Sequence, residues 1–259
     1  MTPALGDMHA GSALAGGGPV IITIDGPAGT GKSTVARELA RRLGLDFLDT
    51  GSMYRAAAAI AIDQEIPADR PQDLVAAVVA ADLHFDWSTD PPSLIAYGLP
   101  VMGRIRDPDV TAVVSPIAGI AALRRLMVER QRQIAAEHPR LVSEGRDQGS
   151  VVFPEADVKF YLDASPQVRA ARRAEQLRRV GQQVDERALV DEIIERDRSD
   201  STRLVGPLVC PPDAERIDTS HLSFDQVVST LERIVRERLR GGPAAPAPTG
   251  SGRTWPGHA

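Results

Sequence analysis

The chain has 259 residues, of which 42% are hydrophobic and 4% aromatic, so it suits one α/β domain with an insertion, or two small domains, with a mainly aliphatic core. Its formal net charge of −5 argues against a general nucleic-acid-binding surface. The single cysteine, Cys210, excludes an internal disulfide and a cysteine-based zinc site. No apolar run approaches the ~18 residues of a membrane span. We therefore expect a cytoplasmic protein with neither nucleic-acid nor membrane partners.

The two ends of the chain differ in composition from the rest. Residues 1–18 lack the charged and apolar segments of a signal peptide and predict a flexible leader. Residues 241–259 are rich in Pro, Ala and Gly and predict a disordered tail. The remaining residues, 19–240, predict one folded domain.

The first predicted elements are a strand, a glycine-rich loop and a helix that follow one another directly. Residues 20–24 form a short β-branched run typical of a buried parallel strand. Residues 35–43 repeat apolar side chains at helical spacing and end at Gly44, a predicted C-cap. Between them lies the pattern G-x-x-x-x-G-K-[ST], whose residues and their successor are Gly26, Pro27, Ala28, Gly29, Thr30, Gly31, Lys32, Ser33 and Thr34.

This loop predicts a site for a nucleoside triphosphate such as ATP. Its glycines let backbone N–H groups turn towards phosphate oxygens, and the following helix N-terminus favours an anion. Lys32 would contact the β- and γ-phosphates and the Ser33 hydroxyl would ligate Mg²⁺. The alternative is a glycine-rich turn with a capping serine, which the strand–loop–helix context disfavours. The motif alone does not choose among GTPases, ATPase motors and small-molecule kinases.

The rest of the chain alternates strands and helices, with one interruption. Residues 83–106 alternate apolar and polar side chains around Pro91–Pro92 and Gly98, which predicts a small antiparallel meander. The other strands are expected at 46–49, 141–143, 158–163 and 216–218, and the other helices at 53–62, 73–81, 117–136, from Ser165–Pro166 onward, 185–197 and 224–239. Such alternation predicts a parallel sheet with helices on both faces.

Arginines accompany several of the predicted turns and helix ends. Thr50, which opens the segment that ends at Arg55, and Arg146 directly follow predicted strands, so both should lie near the glycine loop, at the carboxyl edge of the sheet where ligands bind. Arg124 and the segment from Arg196 to Arg203 are less specific, because surface arginines on helices are common and exposed ion pairs contribute little. Phosphoryl transfer between two anions needs such cations.

Four segments together resemble the bacterial cytidylate kinases, the (d)CMP kinases of the nucleoside monophosphate kinase group. They are I-T-I-D-G-P-A-G-T-G-K-S from residue 22, L-D-T-G-S-M-Y-R from 48, E-G-R-D-Q-G-S-V-V-F-P from 144 and R-D-R-S-D-S-T-R from 196. The resemblance runs in order from about residue 20 to 240. It implies a P-loop α/β fold with an NMP-binding insertion near residues 63–117, which would hold the small antiparallel sheet, and a short lid near 170–185.

The resemblance also implies a reaction and a set of residues. The γ-phosphoryl group of ATP would pass to CMP or dCMP with Mg²⁺ present, in a monomeric enzyme. Lys32, Arg146 and Arg196 would serve catalysis. Asp147 and Asp200 would contact the cytosine and the sugar, and the arginines would hold phosphate. The full set of substrate contacts that the resemblance implies is Thr50, Tyr54, Arg55, Arg124, Arg146, Asp147, Arg196, Asp200 and Arg203.

Three alternatives stay open at this level. Residues 63–103 match the family weakly and G-R-I-R from 103 follows its acidic run only loosely, so another anionic acceptor such as UMP, AMP or shikimate is a competing hypothesis. A GTPase-like switch would need an N-K-x-D motif, which is not present in the sequence. A nucleic-acid-binding ATPase would be expected to carry a basic stripe, which the net charge does not favour.

Overall fold

The computed structural model describes residues 14, 17–67, 69–179 and 181–241. The predicted leader and tail therefore lie outside the described residues, except for residues 14, 17, 18 and 241. Within the described part of the chain, no single helix is long and apolar enough to cross a membrane, although the bent pair Pro108–Ala118 and Ala121–Glu137 meets the length and composition criteria together.

Five parallel strands form the central sheet, in the order β2-β6-β1-β7-β8. Three short antiparallel strands, β3-β4-β5, form a second sheet, as the meander predicts. The strands are β1 Val20–Asp25, β2 Asp46–Asp49, β3 His84–Asp86, β4 Ser93–Ala96, β5 Leu99–Pro100, β6 Arg140–Gly145, β7 Val158–Asp163 and β8 Glu215–Asp218. The predicted α/β class with a parallel sheet is confirmed.

Helices cover both faces of the parallel sheet. Alternate side chains of a strand point to opposite faces, so Ile22 and Ile24 pack with α1 and α8, whereas Ile21 belongs to a second cluster with α2. Both faces are therefore apolar, as expected for buried parallel strands. The described helices are α1 Lys32–Leu43, α2 Thr50–Asp63, α3 Pro71–Ala80, α4 Pro108–Ala118, α5 Ala121–Glu137, α6 Pro166–Arg179, α7 Glu186–Thr202 and α8 Phe224–Gly241.

The predicted helix over residues 117–136 is wrong in one respect. The chain forms two helices here, α4 and α5, which meet at an angle of 95°. Gly119 has low helix propensity, and Ile120 has an extended backbone with ψ 113° before α5 begins. The bend turns Arg124, in the first turn of α5, into the interior, where its exposure is only 3%.

Two further helix boundaries differ from the prediction and matter for the site. Helix α2 begins at Thr50 rather than at 53, because the Asp49 carboxylate accepts the Ser52 N–H at 3.0 Å and caps the helix. Helix α7 continues to Thr202 rather than ending at 197. Thr50 therefore lies in a helical turn, and the segment from Arg196 lies on the last turns of α7.

Candidate active site

The glycine loop joins β1 to α1 at the carboxyl edge of the sheet. Gly26 has φ +144°, and a Cβ atom there would collide with the backbone carbonyl of Leu162 on β7, so only glycine fits. The Lys32 Nζ donates to the Pro27 carbonyl at 2.7 Å, and the Thr30 hydroxyl donates to the same oxygen at 3.1 Å. Burial, reinforced by repulsion from Arg146, lowers the pKa of Lys32 to about 7.

Carboxylates line the floor of the site beside this loop. The Ser33 hydroxyl donates to Glu144 Oε1 at 2.6 Å, and the Glu144 side chain is buried near the end of β6. Desolvation raises the pKa of Asp49 to about 7, and the neighbouring charge of Glu144 adds to the rise. Thr50 donates its hydroxyl hydrogen to the Glu144 carbonyl at 2.8 Å, which ties α2 to the central sheet.

Asp25, the last residue of β1, joins the glycine loop to the turn after β6. Its carboxylate accepts the Gln148 N–H at 2.8 Å and the Gly149 N–H at 2.7 Å. Burial raises the pKa of Asp25 to about 7, although the two backbone hydrogen bonds oppose that rise. The turn itself is a single π-helical segment, Gln148–Val152, a geometry found frequently at functional sites.

Opposite the glycine loop lies a cluster of arginines with fewer carboxylates. Arg146 donates through Nε to Asp200 Oδ2 at 2.9 Å, and Ser115 donates to Asp200 Oδ1 at 2.8 Å. Arg203 lies 3.8 Å from the same carboxylate. Burial, together with repulsion from Arg146, lowers the pKa of Arg196 to about 10. The site therefore holds more buried cationic charge than its own carboxylates neutralise.

Several guanidinium donors of this cluster lack a protein partner. Among the described residues, Nε of Arg196 and both Nε and Nη2 of Arg203 are buried and make no hydrogen bond. Buried donors are normally satisfied, so such groups need an explanation, and a bound anion would supply one. Arg55 differs, because its Nη1 donates to the Thr111 hydroxyl at 3.1 Å.

Arg124 and Asp147 form a buried ion pair beside the arginine cluster. Arg124 Nη2 donates to Asp147 Oδ2, and Nη1 donates to the Ala118 carbonyl at 3.2 Å. The Arg124 guanidinium also lies 5.5 Å from the centroid of the Tyr54 ring, in the range of a cation–π contact. These contacts place the three predicted substrate residues side by side.

One cavity of about 630 Å³ brings the two groups together. The predicted residues that line it are Ala28, Gly29, Gly31, Lys32, Ser33, Thr34, Thr50, Tyr54, Arg55, Arg124, Arg146, Asp147, Arg196, Asp200 and Arg203. Three residues of the loop do not line the cavity and instead support the loop conformation, namely Gly26, Pro27 and Thr30. The cavity is also lined by residues that the sequence reasoning did not assign to the site, among them Asp49, Arg106, Thr111, Ser115, Glu144, Arg172, Arg173, Glu175 and Arg179. Of these, Glu144 is the first residue of the recognised segment that begins E-G-R-D, which was a usable signal.

The fold and cavity define a class of protein. A P-loop at the edge of a parallel sheet faces a cluster of arginines across one cavity, an arrangement typical of a two-substrate phosphotransferase.

Comparison with known proteins identifies the family. The model of the cytidylate kinase family matches residues 22–237. A cytidylate kinase of Nocardia farcinica is 42% identical over 228 residues, covering 87% of this chain and 97% of that protein. One of Pelotomaculum thermopropionicum is 46% identical over 212 residues, covering 81% and 93%. A bifunctional pantoate ligase/cytidylate kinase of Synechococcus is 43% identical over 228 residues, which are 86% of this chain and 42% of that protein.

The chain belongs to the cytidylate kinase family and is a kinase that phosphorylates CMP with ATP. The resemblance seen in the four sequence segments is thereby confirmed, as is the expected phosphotransferase activity.

Proposed function

We propose that ATP binds with its phosphates in the glycine loop, and that CMP or dCMP binds among the arginines on the opposite side of the cavity. The observation that carries this division is the set of unpaired, buried donors on Arg196 and Arg203, which share one cavity with Lys32. Guanidinium groups bind phosphate through paired N–H donors, and a glycine loop binds phosphate through backbone N–H groups.

The acceptor nucleotide has polar and ionic partners in this arrangement. We assign Arg55, Arg146 and Arg203 to its phosphate and the Asp200 carboxylate to its sugar hydroxyls, as the family resemblance suggests. A carboxylate has two oxygens, so Asp147 can hold Arg124 through one and accept the cytosine amino group through the other. Thr50 and Tyr54 would complete the walls on the α2 side.

Catalysis in this proposal rests on positioning and charge, since the acceptor phosphate is already nucleophilic. Lys32, Arg146 and Arg196 would hold the donor and acceptor phosphates in line and balance charge on the transferring group. Burial lowers the pKa of Lys32 to about 7, which favours its neutral form. Phosphate oxygens beside Nζ would raise this pKa again, because a nearby negative charge favours the charged form of lysine. Arg173 and Arg179 of α6 also line the cavity and would help to exclude water, which could otherwise act as acceptor.

The residues near Ser33 fit a magnesium ion. Mg²⁺ prefers oxygen ligands and keeps several waters, so it needs only one or two protein groups beside substrate phosphates. Ser33 and Glu144 supply a hydroxyl and a carboxylate 2.6 Å apart, and the described residues hold no denser cluster of metal-binding side chains. When bound, the ion would neutralise phosphate charge. The Ser33 hydroxyl oxygen would be its protein ligand, and the Glu144 carboxylate would accept the hydroxyl hydrogen.

The remaining parts of the proposal concern organisation. We assign residues 63–117, which include the antiparallel sheet, to the NMP-binding insertion and residues 170–185 to the lid. One chain supplies both halves of the cavity, which supports a monomer as the working unit. The lone Cys210 is compatible with the reducing cytoplasm, the location that we propose.

An acceptor profile tests the proposal. Release of ADP is followed in a coupled assay with ATP and Mg²⁺ and with CMP, dCMP, UMP, AMP or shikimate as acceptor. We expect CMP and dCMP to give the highest kcat/KM. A profile led by AMP or shikimate would contradict the assignment of the arginine side to a cytidine nucleotide.

A further inference from the structure

Arg169 on α6 is a buried arginine that lies outside the lining of the cavity. Its side chain is only 3% exposed, yet it makes three hydrogen bonds through its guanidinium. Nε donates to the Ala164 carbonyl at 2.9 Å, Nη1 to the Ala28 carbonyl at 3.1 Å, and Nη2 to Asp197 Oδ2 at 2.6 Å. One side chain therefore contacts the end of β7, the glycine loop and helix α7.

The contact with the glycine loop is close as well as polar. A Cβ atom on Gly29 would lie 3.1 Å from the Cβ of Arg169, which is tighter than ordinary van der Waals contact. The hydrogen bond from Arg169 to the Ala28 carbonyl further fixes how this part of the loop is oriented. The conformation of the donor loop and the position of Arg169 are therefore mutually dependent.

The contact with α7 lies beside the acceptor-side arginines. Asp197 directly follows Arg196 and stands one helical turn before Asp200, so its position sets the position of both. Within the described part of the chain, the other carboxylate oxygen of Asp197, Oδ1, is buried without a hydrogen-bond partner. Arg169 is thus the group that orients this carboxylate, and a partly buried carboxylate that loses its cation is destabilised.

We propose that Arg169 is a positioning residue that couples occupancy of the glycine loop to the orientation of Arg196 and Asp200 on α7 and of Arg203, the residue that follows this helix. The inference rests on the proposed division of the cavity into a donor and an acceptor side. Phosphates held by the loop fix the Ala28 carbonyl, the carbonyl fixes the planar guanidinium, and the guanidinium fixes Asp197 and with it this face of α7. A lysine could reach one of these partners, but its single ammonium group could not reproduce the planar guanidinium that donates to all three.

The same two helices offer a matched control. Arg178 of α6 and Glu186 of α7 form an ion pair at 2.6 Å whose side chains are about half exposed. This pair joins α6 to α7 but does not contact the glycine loop, and Arg178 does not line the cavity. Arg178→Met therefore removes an α6–α7 ion pair without touching the connection that we propose.

The test measures CMP affinity with and without a donor. Isothermal titration gives the dissociation constant of CMP for the wild-type chain, Arg169→Met and Arg178→Met, alone and with a saturating non-hydrolysable ATP analogue and Mg²⁺. We expect the analogue to tighten CMP binding at least about fivefold in the wild type and in Arg178→Met, which is typical for coupled sites. In Arg169→Met we expect the ratio to fall below about twofold, and kcat to fall about tenfold or more with a smaller change in the KM for ATP.

Asp197→Asn serves as a second variant in case Arg169→Met folds poorly, because asparagine keeps the shape of aspartate. It should lose the coupling in the same way. Retention of wild-type coupling in the folded variant, an equal loss in Arg178→Met, or no coupling in the wild type would overturn the inference. Failure of the proposed function is a different result, since the wild-type chain would then fail to phosphorylate CMP in the acceptor assay.

Discussion

Removal of the Arg146 guanidinium should abolish most turnover while leaving the protein folded. Arg146 follows β6 directly, lines the cavity and donates to the buried Asp200 carboxylate at 2.9 Å. In the Arg146→Ala variant the transferring phosphoryl group would lose one of the cations that we propose to face it. Loss of one preorganised donor typically lowers kcat by about 10²–10³, or about 3–4 kcal/mol, whereas loss of an arginine finger can cost about 10³–10⁵. Because Arg196 and Arg203 remain in the same cavity, we expect the lower range.

The effect on stability should be smaller than the effect on catalysis. Asp200 keeps its hydrogen bond from Ser115 and its ion pair with Arg203 at 3.8 Å, so its carboxylate does not become isolated. We expect a loss of about 1.5–3 kcal/mol in the free energy of unfolding, the range for a hydrogen bond to a charged group. Urea unfolding of both proteins measures this term separately.

The assay for Arg146→Ala follows ADP release at saturating ATP over a range of CMP concentrations. Arg125→Ala is the control, because Arg125 lies next to Arg124 on α5 but is exposed and does not line the cavity. We expect this control to retain kcat and KM within about twofold, since exposed substitutions rarely perturb a site. If folded Arg146→Ala turned over at a near-normal rate, its proposed role would be refuted.

Three further predictions concern the loop, its support and the core. Gly26→Ala forces a Cβ against the Leu162 carbonyl at φ +144°, so it should cost about 2 kcal/mol or more by urea unfolding and weaken ATP binding; an unperturbed variant would contradict this packing. The pKa of Asp25 is raised to about 7, so the folded state binds more protons than the unfolded state between pH 4 and 7. The stability that this group contributes therefore falls by at most about 4 kcal/mol as the pH rises through that window. Asp25→Asn should flatten the pH dependence of unfolding free energy in that window, and an unchanged slope would exclude the assignment. Phe160→Ala should lose about 3–5 kcal/mol because Phe160 is fully buried on β7, whereas Phe224→Ala, which is 44% exposed, should lose under about 1 kcal/mol.

Much of the sheet and the donor half of the site could be predicted from the sequence. Strand β1, the glycine loop and helix α1 are specified by local patterns, namely a β-branched run, fixed glycines and a helical repeat that ends at Gly44 with φ +65°. Strand β7 and the capping Ser165, whose hydroxyl accepts the Val168 N–H at 3.3 Å, also follow from such signals. These features depend on neighbours in sequence, which is why a single sequence reveals them.

The features that could not be predicted depend on contacts between distant residues. Arg124 looks like one of several arginines on a helix, and only the bend at Gly119 and the pairing with Asp147 bury it. Asp25 stands before the glycine loop with no local signal of its role, which depends on the turn at Gln148, 123 positions away, whose N–H donates to its carboxylate. Burial and long-range partners decide these roles, and neither leaves a periodic signal in the sequence.

A bisubstrate analogue tests whether a donor site and an acceptor site face each other in one cavity. The measurement is the inhibition pattern of adenosine and cytidine joined through their 5′ positions by a chain of five phosphates, with ATP and CMP varied in turn. We expect competition with both substrates and, by titration, one analogue bound per chain. Competition with ATP alone, with CMP still able to bind beside the analogue, would contradict it.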